Sequence, residues 1–278
     1  MLKATKKSHN LEILISTMNR ASLSFLNNMF PSINDSNINM LVVNQTNESS
    51  ILVSNSNHIK VLNTFDKGLP QSRNLAIENA SADICLIADD DIHYVSNFKD
   101  IILDAFEKYH EADIITFKMI NQDGQFFRDY RNIIKHDKNT INTVNSVVIA
   151  FKLESVKGNV HFNNNFGLGA QFQVGNEFVF LRNAINAGLK IFFDPKVILS
   201  HPNFSSGQDS ASDRVIYGRS ALYYKYYGLK AYAKIGIDLI ITSMRGKLAP
   251  SKIISKFKVG LNGINDYKLL VMNGTEIR

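Results

Sequence analysis

The sequence lacks the means to form an internal disulfide bond, because Cys85 is its only cysteine. A chain without disulfides fits a reducing compartment. Long apolar runs are absent as well. The first run, Leu11–Ile15, is too short for the core of a signal peptide. A membrane-spanning helix needs about 18–20 consecutive apolar residues, and no stretch of the sequence approaches this length. We therefore expect a protein that is made and kept in the cytoplasm.

Charged residues are also few, and neither sign is in large excess. Charged residues are 20% of the 278 residues and hydrophobic residues are 45%, which excludes a disordered polyelectrolyte and allows a sizeable core. The formal net charge is +6. This modest excess suits anionic ligands such as nucleotide phosphates, or an anionic membrane surface, and it equally suits an ordinary solvated surface.

The first half of the chain alternates between the patterns of strands and helices. Short apolar runs predict strands, and apolar residues at helical spacing predict helices between them. The predicted strands are Leu11–Thr17, Asn39–Val43, Ile59–Leu62, Ile84–Ala88 and Ile114–Lys118, and the predicted helices are Ala21–Phe30, Leu69–Ala80 and Ser96–Tyr109, with Ser96 as N-cap. This alternation predicts an α/β fold with a mostly parallel sheet, whose ligands bind outside the carboxyl ends of the strands.

The second half is less regular. Segments Gln125–Tyr130 and Val147–Phe151 predict strands of a smaller mixed sheet, and Lys190–Phe193 and Val197–Leu199 predict two further short strands. From Asp213 to Met272 the chain is helical and basic. We therefore expect one α/β domain over residues 1–209, divided into a ligand-binding half at 11–118 and a second half at 119–209. A helical extension follows at 210–278.

Three adjacent carboxylates, Asp89, Asp90 and Asp91, follow the predicted strand Ile84–Ala88 directly. Adjacent carboxylates repel one another unless a cation neutralises them. Hard divalent cations prefer oxygen ligands and commonly take one or two carboxylates together with phosphate oxygens. The triplet therefore predicts a metal site at the strand end, and a solvated acidic turn is the alternative.

The segment before the triplet has a recognisable order. Gly68-Leu69-Pro70-Gln71-Ser72-Arg73-Asn74 opens a helix that leads through Ala80 and Asp83 to the strand and the triplet. This order resembles the family 2 inverting glycosyltransferases of GT-A fold, as does the opening strand with its turn Thr17-Met18-Asn19-Arg20. The resemblance covers residues 11–201. It implies a GT-A fold, a Rossmann-like sheet flanked by helices with a smaller mixed sheet on the acceptor side.

The resemblance also implies the donor and its ligands. The donor is a nucleotide-diphosphate sugar, and a divalent cation, Mn²⁺ or Mg²⁺, bridges its phosphates. The implied metal ligands are Asp91, Asp89 and His201, the last following Asp194-Pro195-Lys196-Val197-Ile198-Leu199-Ser200. The implied nucleotide-sugar-binding residues are Thr17, Asn19, Arg20, Asn44, Arg73, Asp89 and Asp90.

Four of these positions carry alternatives. Asp89 either binds the metal or instead holds the ribose of the nucleotide. Arg73 either contacts the diphosphate, positions the acidic loop, or forms an ordinary salt bridge on the helix surface. Asn44 stands where the family commonly has an acidic residue that holds the base; its amide can still hydrogen-bond a base edge, and the nucleotide stays open. His201 precedes a proline, where a capping or hydrogen-bonding role is the alternative to a metal ligand.

The segment Gly167-Leu168-Gly169 through Gly175-Asn176-Glu177 resembles the family's Gly-Glu-Asp motif, with Asn176 and Glu177 in place of the acidic pair. Glu177 falls at the position of the general base. An inverting transfer needs a carboxylate that takes the proton of the acceptor hydroxyl. The alternative is a helix-terminal charge without a catalytic role.

The predicted helical extension interleaves lysines and arginines with tyrosines, followed by the apolar run Ile235–Ile241. We weigh three interpretations. The extension rests on the anionic inner face of the membrane, it binds a sugar acceptor through its tyrosines, or it caps the domain with its tyrosines in the core. We expect no nucleic-acid partner, since no recognition motif accompanies the basic residues.

Together these features predict a glycosyltransferase that moves a hexose or N-acetylhexosamine, with a UDP-sugar favoured as donor, to a glycan or lipid-linked acceptor. A binding module that keeps the fold without turnover is the non-enzymatic alternative. A sugar nucleotidyltransferase is a further one, but it usually opens with a glycine-rich loop, and Ser16–Ser22 contains no glycine. The oligomeric state stays open.

Overall fold

The computed structural model describes the chain over residues 9–31, 38–202 and 209–276. Within these residues the strands are β1 (Leu11–Met18), β2 (Asn39–Gln45), β3 (Ile59–Thr64), β4 (Ile84–Asp89), β5 (His93–Tyr94), β6 (Ile114–Asn121), β7 (Ile149–Lys152) and β8 (Ile191–His201). The α-helices are α1 (Phe25–Met29), α2 (Leu69–Asn79), α3 (Phe98–Lys108), α4 (Leu153–Val156), α5 (Asn176–Asn186), α6 (Asp213–Tyr227), α7 (Lys230–Met244) and α8 (Ile253–Met272).

The chain divides into two compact units. The sheet unit comprises the described residues of Met1–Lys67, Gln71–Phe162 and Glu177–Asn203. The helical unit comprises the described residues of Gly68–Pro70, Asn163–Asn176 and Phe204–Arg278.

The sheet unit is built on a mixed eight-stranded sheet of order β3-β2-β1-β4-β7-β6-β8-β5. The first four strands in this order are mutually parallel, β7 runs antiparallel to both β4 and β6, and β8 is parallel to β6. The α/β fold class predicted from the sequence is confirmed. Val147–Phe151, which we expected in a separate smaller sheet, contributes β7 to the main sheet, where β7 pairs with β4 on one side and with β6 on the other.

Apolar side chains on both faces of the central strands form the core of the sheet unit. Ile13, Leu14 and Ile15 of β1 and the residues of β4 up to Ala88 are buried. Strands covered on both faces need such continuous apolar runs, since neither face meets water. Helix α3 packs here through one apolar side, which includes Phe98, Ile102 and Phe106.

Several local predictions require correction. Gln125–Tyr130 forms no strand and makes a single bridge, between Phe126 and Ile120. Lys190–Phe193 and Val197–Leu199 are parts of the one strand β8, which passes through Pro195. Asn97 rather than Ser96 occupies the N-cap position of α3, without a capping hydrogen bond from its side chain.

The helical unit packs α6, α7 and α8 around a small core that includes Ile216, Ile235 and Ile264. Helix α6 begins after Ser212, whose Oγ accepts a hydrogen bond from the backbone N–H of Val215 at 3.4 Å. The ring of Tyr267 is fully buried, so some tyrosines of this unit serve its core. Among the described residues, no helix is both long enough and apolar enough to cross a bilayer.

A buried ion pair ties the end of the described chain to this unit. Lys225 Nζ lies 2.8 Å from Glu276 Oε1, and both side chains are almost fully buried. The side-chain amides of Asn163 and Asn165 donate to Glu276 Oε2 at 2.8 and 2.9 Å. Burial acts to raise the pKa of Glu276, but these donors outweigh it and lower the pKa. The carboxylate is therefore held in its ionised form.

Helices α6 and α8 meet at Gly263, and we expect Gly263→Ala to destabilise the protein. A Cβ atom at this position would collide with the carbonyl oxygen of Tyr217 and lie 2.9 Å from its carbonyl carbon. Backbone cannot yield as a flexible side chain does, so the free energy of unfolding should fall by about 1–3 kcal/mol.

Gly236→Ala in α7 is the matched control for this measurement. The added Cβ atom would come no closer than 3.9 Å to Phe257. Alanine is the better helix former, so this variant should gain about 0.5–1 kcal/mol. Denaturant unfolding of the two variants distinguishes them. Equal free energies would contradict the close approach of α6 and α8.

Candidate functional site

Three parallel strands bring polar residues to the same edge of the sheet. Ser16 of β1 lies opposite Asp89 of β4, and Thr17 lies opposite Asn44 of β2. The strand ends of β1, β2 and β4 therefore adjoin, as expected for the ligand crevice of an α/β sheet.

Asp90 is held by two residues at the end of β1: Thr17, within the strand, and Arg20, just after it. Thr17 Oγ1 donates to Asp90 Oδ2 at 2.5 Å, and both Nε and Nη2 of Arg20 lie 2.7 Å from the same oxygen. Asn19 makes this possible by adopting a left-handed conformation, with φ +53°, which asparagine tolerates better than most residues. The strand thereby turns, and Arg20 points back to the acidic triplet.

Asn44 fixes that turn from the neighbouring strand. This fully buried residue accepts a hydrogen bond from the backbone N–H of Arg20 at 3.1 Å. Its Nδ2 donates to the carbonyl oxygen of Arg20 at 3.2 Å and to Asn63 Oδ1 at 3.1 Å. Both donors of the amide are therefore engaged with the protein, and Asn44 acts here as a support for Arg20.

Arg73 holds Asp89 from inside the protein. Its Nη2 lies 2.8 Å from Asp89 Oδ1 and donates to Ser146 Oγ, also at 2.8 Å. The side chain is 1% exposed, and its guanidinium carbon lies 5.4 Å from the centre of the Phe162 ring. Arg73 is buried and links Asp89 to Ser146, so an ordinary salt bridge on the helix surface does not describe it.

Replacing Arg73 with methionine should lower the free energy of unfolding by about 1–3 kcal/mol, because Asp89 and Ser146 each lose a hydrogen-bond donor. Asp89 would lose its cation, and Ser146 Oγ would lose the N–H group that donates to it. Denaturant titration measures the change, with Arg131→Met, at an exposed arginine, as the control. Two variants that both differ from wild type by less than about 0.5 kcal/mol would contradict a stabilising role of these contacts, since that is the range of ordinary surface changes.

Asp91 differs from its two neighbours. It forms no ion pair with any residue in the described ranges, whereas Asp89 and Asp90 each have an arginine. Its pKa is raised, first by desolvation of the carboxyl group and then by the charge of Asp89, while His201 opposes the shift. A bound cation would oppose this rise, because a nearby positive charge favours the ionised carboxylate.

Strand pairing explains why His201 acts on Asp91. Strand β5 follows the triplet, and its His93 lies opposite Ser200 at the end of β8. His201 is buried, with its ring against Phe127 and its Nδ1 2.8 Å from the carbonyl oxygen of Pro202. A carbonyl only accepts, so Nδ1 carries the hydrogen, and in the neutral ring Nε2 keeps a lone pair.

These residues suit a divalent cation in part. Carboxylate oxygens and an imidazole nitrogen are suitable donors for Mn²⁺, and Asp91 has the unpaired carboxylate. Within residues 9–31, 38–202 and 209–276, however, no group of three or more His, Cys, Asp or Glu side chains is placed to hold a metal ion. The arrangement fits a cation that takes one or two carboxylates and completes its coordination with phosphate oxygens.

Glu177 stands apart from this network. It lies in the first turn of α5, is half-buried, and forms no hydrogen bond or ion pair with another described residue. The preceding Asn176 has a structural task, since its buried Nδ2 donates to the carbonyl oxygen of Phe166 at 2.8 Å. Only Glu177 of the two is therefore available to a ligand.

Sequence reasoning missed three residues around the triplet. Asn63 lies one residue before the end of β3, opposite Asn44, and the strand-end rule applied to the predicted strand Ile59–Leu62 would have found it. Ser146 lies 73 positions after Arg73, and no local pattern links them. Tyr94 stacks on Phe98, its hydroxyl is buried without a hydrogen-bond partner in the described part of the chain, and its pKa is raised by burial and by Asp89.

Comparison with known proteins identifies the fold. Neither the protein-family models nor the curated proteins gave a match to the sequence. The structure of S. aureus TarS 1-349 in complex with UDP-GlcNAc is similar with a TM-score of 0.58 and 13% identity, over 93% of this chain and 80% of that chain. The mannosyltransferase PcManGT from Pyrobaculum calidifontis, in complex with GDP-Man and Mn²⁺, is similar with a TM-score of 0.53 and 12% identity, over 96% and 88%. The chain has a GT-A type fold, as the sequence predicted.

Proposed function

We propose that the chain is a glycosyltransferase that uses a nucleotide-diphosphate sugar as donor. The observation that carries this proposal is an acidic triplet at a strand end of a GT-A fold. Arginines hold Asp89 and Asp90, while Asp91 has no ion-pair partner among the described residues. Structures of the same fold contain UDP-GlcNAc in one case and GDP-Man with Mn²⁺ in another. These ligands support the donor class.

We assign the donor side to the residues around the triplet. Asp91 would hold a Mn²⁺ or Mg²⁺ ion, with Asp89 or His201 as a further ligand, and the ion would neutralise charge on the diphosphate. Arg73 and Arg20 keep the carboxylates of Asp89 and Asp90 in place. Thr17, Asn19 and Asn44 shape the turn that carries Arg20, next to the nucleotide.

We assign the acceptor side to Glu177. Its carboxylate takes the proton of the acceptor hydroxyl while that oxygen attacks the anomeric carbon and the bond from this carbon to the diphosphate breaks. Attack from the side opposite the leaving group inverts the anomeric carbon, as in the family 2 enzymes that the motifs resemble. The sugar is a hexose or N-acetylhexosamine, a UDP-sugar is the favoured donor, and the acceptor is a glycan or a lipid-linked molecule.

Asn176 favours one alternative. Its buried amide donates a hydrogen bond to the carbonyl oxygen of Phe166, at a position where the family that the motif resembles has a carboxylate. A chain that binds the donor and does not turn it over is therefore the second candidate.

Thermal unfolding with UDP, GDP, CDP and dTDP, each with and without Mn²⁺, tests the donor site. A ligand that binds only the folded state raises the midpoint by mass action. We expect a rise with one nucleotide that depends on Mn²⁺. No rise with any of the four at millimolar concentration would overturn both the transferase and the binding-module proposals.

A further inference from the structure

Helix α7 presents an apolar face to solvent. Ile237, Ile240, Ile241 and Met244 recur at helical spacing and are 57%, 51%, 41% and 82% exposed. The opposite face of the same helix is buried through Ile235 and Leu239. A helix that is apolar on both faces has a second partner besides its own core.

Exposed apolar residues also flank this face in the chain. Leu229, directly before α7, is 76% exposed, and Ile254, in the first turn of α8, is 75% exposed. We call Ile237, Ile240, Ile241 and Met244 the apolar face. All four lie in the helical unit, whereas the acidic triplet lies in the sheet unit.

The segment that carries the apolar face is strongly basic. Between Leu229 and Lys258 it has seven lysines and arginines and a single acidic residue, Asp238. This difference of six positive charges equals the formal net charge of the whole chain. Asp238 is itself neutralised by Arg219 at 2.6 Å. Five of the basic residues are exposed and form no ion pair with a described residue: Lys230, Arg245, Lys247, Lys252 and Lys258.

We propose that the apolar face of α7 docks on an anionic lipid surface, with the helix lying in the plane of the interface. The apolar side chains suit the acyl boundary of such a surface, and the basic residues around them suit its negative headgroups. Insertion across the bilayer is not required, and no described helix would permit it. The proposal goes beyond the transferase activity and does not depend on it.

Charge disfavours a second copy of this chain as the occupant. A two-fold symmetric contact brings the same patch of each copy together. Lys230 precedes the apolar residues along α7 and Arg245 and Lys247 follow them, so both ends of the patch carry exposed positive charge. Two such patches would repel one another, whereas an anionic bilayer attracts each of them.

Vesicle sedimentation of the full chain tests the proposal, with vesicles of phosphatidylcholine alone and with phosphatidylglycerol added. We expect binding only to the anionic vesicles, and weaker binding at high salt. The double variant Ile240→Ser/Met244→Ser should bind at least tenfold more weakly, since it removes two apolar side chains from the interface. Arg245→Glu/Lys247→Glu should also bind at least tenfold more weakly.

The matched control is Val53→Ser/Ile134→Ser, which removes two comparably exposed apolar side chains from the sheet unit. It should bind like wild type. All three variants change exposed residues, and their thermal midpoints verify that they fold. Equal binding of wild type and Ile240→Ser/Met244→Ser would overturn the proposal. A second result would also overturn it: wild type binds no vesicles and forms dimers in sedimentation velocity, and Ile240→Ser/Met244→Ser abolishes those dimers. The apolar face would then join two copies of the chain.

Discussion

Replacing Asp91 with asparagine is expected to remove the dependence of nucleotide binding on Mn²⁺ and to lower kcat/KM about 10³-fold. Asp91 is the one carboxylate of the triplet without an arginine partner in the described residues, and its pKa is raised by desolvation and by Asp89. Asparagine keeps the shape and loses the charge that a cation needs. A metal ion stabilises charge on the leaving diphosphate by several kcal/mol, and about 1.36 kcal/mol corresponds to each tenfold change in rate.

Calorimetric titration of UDP or GDP, with and without Mn²⁺, measures the loss of metal dependence. Asp104→Asn in α3 is the control, since it makes the same chemical change at an exposed aspartate outside the triplet. An Asp91→Asn variant that still binds nucleotide more tightly with Mn²⁺ would assign the metal to other residues.

Replacing Glu177 with glutamine is expected to reduce kcat by about 10²–10⁴-fold and to leave donor affinity unchanged, because general-base catalysis contributes rate enhancements of this size. Glu177 is half-buried at the start of α5 and is not engaged by another described residue. Glutamine cannot accept the proton of the acceptor hydroxyl. Since Glu177 forms no bond within the donor network, binding of the nucleotide should not change.

The control for this prediction is Glu154→Gln, a similar change in the first turn of α4. Turnover is followed as release of nucleoside diphosphate, and donor affinity as the thermal shift. If Glu177→Gln retained full turnover, Glu177 would be a helix-terminal charge and not the base. If it lost donor binding along with turnover, its role would lie on the donor side.

Local sequence patterns were sufficient for the elements that carry the donor site. The apolar run Leu11–Thr17 predicts β1 (Leu11–Met18), and Ile84–Ala88 predicts β4 (Ile84–Asp89). Both strands are buried on both faces, so their composition alone reveals them. The strand-end rule then pointed to the triplet, and the family resemblance added Thr17 and Asn44, which lie at the same edge of the sheet.

Long-range partners could not be predicted in this way. The contact of Arg73 with Ser146 spans 73 positions, and the insertion of β7 between β4 and β6 depends on pairing between distant segments. Side-chain periodicity predicts whether a segment is a helix or a strand, but it does not predict which other segments it contacts in the fold. The same reason explains Gln125–Tyr130, whose alternating residues suit a strand but make only one bridge.

Cleavage of the donor tests the central claim most directly. The full chain is incubated with UDP-GlcNAc, GDP-mannose and other nucleotide-diphosphate sugars, with a divalent cation and a mixture of glycan and lipid-linked acceptors, and the free nucleoside diphosphate is quantified by chromatography. We predict that wild type releases nucleoside diphosphate from one donor class and that Asp91→Asn and Glu177→Gln do so far more slowly. Donor binding with no release from any donor would contradict the transferase function and leave a binding module on a GT-A fold.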